Sequence, residues 1–118
     1  MLVNTNSSIN LGQIIVAPEV IMKVVHQATL TVPDVASLAT PTTGIFRRGQ
    51  GRDGVNLQTS EGGLKIDIHV VVQENSNMIE AAKAVQVAVS DAVDHIVGTD
   101  IESVDVHVEN ISFTNDTE

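Results

Sequence analysis

Residues 64–72 read LKIDIHVVV, and the alternation of apolar and polar side chains along this run decides the fold. The apolar positions are Leu64, Ile66, Ile68 and Val70, and the polar positions between them are Lys65, Asp67 and His69. A period of two predicts a β-strand with one buried face and one polar face. The run therefore predicts a sheet that is covered on one side and open on the other.

The same alternation returns near the end of the chain, in ESVDVHVENISF at residues 102–113. Valines at 104, 106 and 108 point to one face, and Asp105, His107 and Glu109 point to the other. The phase breaks at Asn110, because Ile111 and Phe113 fall on the opposite parity. This break predicts a β-bulge or the end of the strand.

Two segments carry a helical pattern instead. Pro18 and Glu19 suit the first turn of a helix, which we expect to end by residue 31, before Pro33. The second helix is predicted from a seam with spacings of three and four residues, capped by Asn77 and ended by Gly98. The seam consists of Met78, Ala82, Val85, Val89, Ala92 and Ile96.

Shorter strands are predicted over 12–17, 35–40 and 55–60, with a hairpin turn at 61–63. The resulting order is β-α-β-β-β-α-β. It predicts an α+β two-layer domain, with a mostly antiparallel sheet and two helices on one face. The domain is expected to span 12–113, after a disordered N-terminus at 1–11 and before a frayed C-terminus at 114–118.

Composition narrows the functional class. The net charge is -9 and the pI is about 4.6, so nucleic-acid backbones and anionic membrane surfaces repel the chain. Two Phe are its only aromatic residues, which leaves little for stacking on bases. No apolar run approaches the ~20 residues that span a bilayer. We expect a cytoplasmic protein that neither binds nucleic acid nor inserts directly into a membrane.

Residues 49–54, GQGRDG, match the dinucleotide-binding pattern G-x-G-x-x-G. That pattern requires a helix after it, whereas the strand-like VNLQ follows here, so a nucleotide site is not predicted. Residues 41–54 are predicted to form a loop instead. Arg47, Arg48 and Arg52 lie in it and supply half of the six basic residues of the chain. The loop is either a solvated connection or a surface that contacts another protein.

The polar faces of the two long strands hold a second set of candidate residues. If these strands are neighbours, Asp67, His69, Asp105 and His107 would converge and could bind a metal ion or a small ligand. The alternative is that these polar side chains only cover a sheet face that is exposed to solvent. No serine or threonine lies in a nucleophile motif, and the chain has no cysteine. The sequence therefore predicts no enzyme and no cofactor.

Six blocks of sequence occur in an order and spacing that resemble a known family. They are GQIIVAPEVI (12–21), VPDVASLA (32–39), GV (54–55) before a short strand, LKIDIHVVV (64–72), IEAAKAVQVAVSDAV (79–93) and VGTDIESVDVHVENISF (97–113). Together they resemble the alkaline-shock protein family of Gram-positive bacteria, also called envelope stress response proteins, and in length its short subgroup.

This resemblance implies a non-enzymatic scaffold or adaptor protein of the cell-envelope or general stress response. It implies self-association, and a membrane contact, if any, that is made through a separate membrane-anchoring protein. For the short subgroup it also implies a fatty-acid kinase-like protein as a partner. The family brings no catalytic residues to this chain.

Overall fold

The computed structural model describes residues 11–40, 50–52 and 54–113. Two α-helices and five β-strands occur in these ranges. In chain order they are α1 (Pro18–Leu30), β1 (Val35–Leu38), β2 (Gln50–Arg52), β3 (Val55–Ser60), β4 (Gly63–Gln73), α2 (Met78–Ala92), a π-helical segment (Val93–Val97) and β5 (Ile101–Ser112).

The central strand of the sheet is β4. Along one edge it pairs with β3 and then with β1, both antiparallel, and β2 extends the sheet beyond β3. Along the other edge β5 runs parallel to β4. Two helices against a mostly antiparallel sheet confirm the predicted α+β class, and the hairpin predicted at 61–63 joins β3 to β4.

The core lies between the helices and one face of this sheet. Alternate residues of β4 are buried, as LKIDIHVVV predicts, and α1 and α2 contact each other above them. The strands contribute Val35, Val55, Leu57, Leu64, Ile66, Ile68, Val70 and Val72, and the helical segments contribute Met22, Val25, Ala28, Ala81, Val85, Val89 and Val93. The opposite face carries no helix among the described residues and holds the polar half of the β4 alternation.

The termini of α2 follow the predicted signals. The Asn77 side chain accepts a hydrogen bond from the Glu80 N–H at 3.0 Å, and Gly98 ends the helical segment with a φ of 77°. The predicted seam is partly wrong, because Met78 and Ile96 are exposed whereas Ala81 and Val93 are buried. Met78 is the first residue of the helix, and the π-helical segment shifts the residues after Ala92 to a different phase.

The strand predicted over 12–17 is also wrong. Residues 11–17 form no strand, and the Ile14 and Ile15 residues are 95% and 81% exposed. Their β-branched composition favours an extended chain, but a strand also requires a partner edge, and no strand within 11–40, 50–52 or 54–113 pairs with them. Conversely, residues 50–52 of the predicted loop form the short strand β2.

Candidate polar site on the open face of the sheet

The parallel pairing of β4 with β5 brings the candidate residues together. In the register Asp67 lies beside Asp105 and His69 lies beside His107. Neighbouring residues of paired strands share a face of the sheet. The condition attached to the sequence prediction, that the two strands be neighbours, is therefore met.

Two histidine–carboxylate pairs link these strands diagonally. The Nδ1 atom of His69 lies 2.6 Å from Oε2 of Glu109, and Nε2 of His107 lies 3.1 Å from Oδ1 of Asp67. The two imidazole rings stack, with centroids 4.4 Å apart and planes 13° apart. Each ring thus contacts the other histidine on its face and a carboxylate at its edge.

A β-bulge places Glu109 in this site. The register passes from Val70 beside Val108 to Val71 beside Asn110, so that Glu109 has no direct partner on β4. The break of phase at Asn110 in the sequence predicts this bulge, and the prediction is confirmed. Glu109 belongs to the predicted polar face but not to the four candidate ligands, although it makes the shorter of the two histidine contacts.

Exposure increases across the site from the centre of the sheet to its edge. The His69 side chain on β4 is 12% exposed, and the His107 side chain on β5 is 45% exposed. Asn56 on β3, which lies beside Asp67 in the register, is buried. The pair formed by His69 and Glu109 is therefore the better shielded from solvent, while the pair formed by His107 and Asp67 resembles an ordinary surface contact.

The chemistry available here is hydrogen bonding and proton exchange. Two imidazoles and two carboxylates are donors that a divalent metal accepts. Within the part of the chain that the structure describes, however, no group of three or more His, Cys, Asp or Glu side chains is arranged to hold a metal ion. The ring nitrogens that contact Glu109 and Asp67 are engaged in separate pairs.

Of the three candidate arginines, the structure describes only the backbone of Arg52. Arg47 and Arg48 lie outside the described residues, and the backbone of Arg52 pairs with Val55 in β2 and β3. The possibility that these three arginines contact a partner therefore stays a prediction.

Gly54, the last residue of GQGRDG, has a structural role. Its φ is 84°, and a Cβ placed on it would lie 2.8 Å from the carbonyl oxygen of Ala39. Its own carbonyl accepts a hydrogen bond from the His69 N–H at 2.8 Å. As predicted, a strand, β3, follows this glycine where a dinucleotide site requires a helix. The position therefore demands glycine for backbone packing.

Large apolar side chains are exposed elsewhere on the domain. Ile79 and Val87 on α2 are 64% and 60% exposed, and Phe113 after β5 is also exposed. Large apolar residues at the surface can be buried in contacts with other proteins. No helix in the described ranges is long and apolar enough to cross a bilayer.

These features define an α+β two-layer domain with paired histidines on its open sheet face and exposed apolar side chains on its helical side. The chain belongs to the alkaline-shock protein 23 (Asp-23) family, whose described function is cell envelope-related, and the match covers residues 6–113. The family resemblance seen in the sequence is thereby confirmed.

Two relatives are uncharacterized proteins of Gram-positive bacteria. YloU of Bacillus subtilis is 26% identical over 110 residues, which cover 88% of this chain and 92% of YloU. Spy1535 of Streptococcus pyogenes is 31% identical over 103 residues, which cover 86% of this chain and 80% of Spy1535.

Among solved structures, two variants of MamM CTD are similar to this chain, each with a TM-score of 0.51. They are 19% and 18% identical, cover 80% of this chain, and are themselves covered to 98% and 99%. At this level of identity the likeness shows a shared fold and nothing about function.

Proposed function

We propose that this chain is a non-catalytic scaffold or adaptor domain in the bacterial cell-envelope or general stress response, acting through protein–protein contacts. The observation that carries the proposal is the exposure of large apolar side chains on a domain that already has a well-packed core. Ile79, Val87 and Phe113 add nothing to that core, and burial against another protein would remove their apolar surface from water.

The charge of the chain supports a protein as its contact at the envelope. A net charge of -9 is repelled by the anionic inner surface of a bacterial membrane. Peripheral binding to lipid needs either a basic patch or a lipid anchor. The domain therefore reaches the membrane from the cytoplasm through an integral-membrane partner, and it also binds further copies of itself. The fatty-acid kinase-like protein implied by the short subgroup is a second candidate partner.

A membrane-binding experiment tests the protein-mediated contact. The purified chain is mixed with salt-washed Bacillus subtilis membranes, with the same membranes after protease digestion, and with vesicles of the extracted lipids. The proposal expects sedimentation with the washed membranes only. Sedimentation with lipid vesicles, or failure to sediment with any of the three, would contradict it.

A second candidate function uses the polar site. The convergence of His69, His107, Asp67 and Glu109 favours it, since two stacked imidazoles with carboxylates at their edges offer several hydrogen-bonding atoms to a small polar ligand. A zinc or nickel titration followed by imidazole NMR signals tests the metal form of this candidate. If the imidazole signals of His69 and His107 shift together when one equivalent of metal is added, metal binding at this site is supported. Unchanged signals of both rings would exclude metal binding there.

A further inference from the structure

The outer edge of β5 is open. This strand is 12 residues long and pairs with β4 along one edge only. Across the described residues, no strand pairs with its other edge. An open edge of this length presents a row of backbone N–H and C=O groups that can bind an additional strand.

One hydrogen bond shows which residues face the open edge. The Gln86 side chain of α2 donates to the carbonyl oxygen of Val104 at 2.9 Å, which indicates that this carbonyl faces the outer edge of β5 rather than β4. Backbone groups of alternate residues in a strand point to the same edge. The N–H and C=O of Val106 and Val108 therefore also face outward, beyond the position that Gln86 occupies.

An exposed apolar residue of α2 lies on the helix face that carries Gln86. Ile79 lies seven residues before Gln86, so the two side chains share one face of the helix. Ile79 is exposed, and Val106 and Val108 are only partly buried. A strand added to the edge would thus cover apolar surface as well as backbone groups.

The chain also contains a segment that has the composition of a strand and pairs with no strand of the described residues. We name residues 13–17, QIIVA, the apolar arm. They carry no charge, include three consecutive β-branched residues at 14–16, and precede α1 without joining the sheet. Ile14 is the most exposed of the large hydrophobic residues described. A strand of this length is stable in water only when it pairs with other strands or packs against another element.

We propose that the apolar arm of one copy adds as a strand to the open edge of β5 in a second copy. The backbone of the arm bonds to the outward groups of Val106 and Val108. Alternation along the arm places Ile14 and Val16 together on one face, where they pack beside Ile79. The proposal rests on the proposed function and names the contact through which the domain self-associates.

Charge favours the arm over a second β5 as the occupant of this edge. Two β5 strands placed edge to edge would bring together two rows that each carry Asp105 and Glu109, in a chain that is already strongly acidic. Like charges on adjacent strands are unfavourable. The arm brings no charge to the edge and supplies the β-branched residues that strands prefer.

The test uses one arm variant and one edge variant. The arm variant, I14D/I15D, changes two exposed residues and should not disturb folding. The edge variant, V106P, removes an outward N–H while sparing the ladder to β4, because proline is tolerated where a strand faces solvent. In light scattering the wild type should show a mass that rises with concentration. Each variant should associate at least about tenfold more weakly.

Mixing the variants identifies the contact. A tagged V106P copy has an intact arm, and an untagged I14D/I15D copy has an intact edge. We expect tagged V106P to retain untagged I14D/I15D but not untagged V106P. The matched control, A84D, places the same charge at an exposed alanine of α2 and should associate like the wild type.

Three results would overturn the proposal. They are a wild type that stays monomeric, association of I14D/I15D equal to that of the wild type, and retention of untagged V106P by tagged V106P. Circular dichroism shows whether V106P folds. If it does not fold, the self-association of I14D/I15D relative to the wild type alone decides whether the proposal holds. A monomeric wild type that still sediments with washed membranes would refute this contact and the self-association of the domain, and would leave its adaptor role at the membrane standing.

Discussion

Strands β4 and β5 lie side by side and carry the same alternating pattern, yet they differ in burial. The inward-facing apolar residues of β4, at positions 64, 66, 68, 70 and 72, are all buried, whereas Val104, Val106 and Val108 of β5 are only partly buried. The difference follows from pairing, since in the described part of the chain β4 has strands along both edges and β5 along one. The alternating pattern specifies which face of a strand turns inward, but the neighbours determine how completely it is covered.

The polar sides of the two strands differ in the same direction. His69 on β4 is largely shielded, and His107 on β5 is nearly half exposed, although the two rings stack. Stability should therefore reside mainly in β4, and contacts with other molecules should form mainly along β5. The following changes test that division.

The largest effect is expected for the core face of β4. Replacing the fully buried Ile68 by Ala should lower the free energy of unfolding by about 3–4 kcal/mol, because it leaves a cavity between sheet and helices. Replacing Val106 by Ala should cost about 1 kcal/mol, since fewer buried methyl groups are lost. Urea unfolding followed by circular dichroism measures both. Equal costs would contradict the division between the strands.

The second largest effect on stability is expected for the turn at the start of β4. Gly63 has a φ of 124°, and a Cβ placed on it would lie 2.7 Å from the Asp100 carbonyl oxygen. Gly63→Ala should cost about 3 kcal/mol through backbone strain and this clash. Gly98 also has a positive φ but nothing within 4 Å of its added Cβ, so Gly98→Ala should cost only about 1 kcal/mol. The same unfolding experiment checks whether the two glycines differ.

A smaller effect is expected in the polar site. Glu109→Gln weakens the contact with the shielded His69 and should cost about 1 kcal/mol, because hydrogen bonds to charged groups are strongest when shielded. Asp67→Asn weakens the contact with the more exposed His107 and should cost about 0.3 kcal/mol. Urea midpoints at one fixed pH compare the pairs. A larger loss of stability for Asp67→Asn would contradict the claim that the more shielded pair, His69 with Glu109, contributes more to stability.

The smallest effect is expected for the hydrogen bond at the open edge. Gln86→Ala removes the donor to the Val104 carbonyl, which water can then replace, so the cost should be about 0.5 kcal/mol. Lys83→Ala, on an exposed position of the same helix, serves as the control and should change stability even less. A loss of several kcal/mol for Gln86→Ala would show that β5 depends on this contact for its place in the sheet.

Local patterns in the sequence predict much of this molecule. The alternation at 64–72 predicts β4 and its buried face, Asn77 and Gly98 mark the ends of the second helical segment, and the phase break at Asn110 marks the bulge. Each of these signals acts over a few residues. Short-range sterics and hydrogen bonding are sufficient to produce them.

Features that depend on a distant partner are harder to predict. Residues 12–17 have the composition of a strand, but composition does not supply an edge to pair with. The polar site depends on the parallel pairing of β4 and β5, which the alternation of either strand alone does not specify. The end of the helical seam, at Ile96, is wrong because a π-helical segment changes the residue spacing after Ala92, and no residue type marks such a segment.

Amide hydrogen exchange of the wild type at high and low protein concentration tests the central claim most directly. The claim is that the apolar arm of one copy occupies the open edge of β5 in another. It predicts that alternate amides of the arm, together with the amide of Val106, exchange slowly at high concentration and rapidly on dilution, while those of β4 stay protected throughout. Rapid exchange of the arm at every concentration would contradict it.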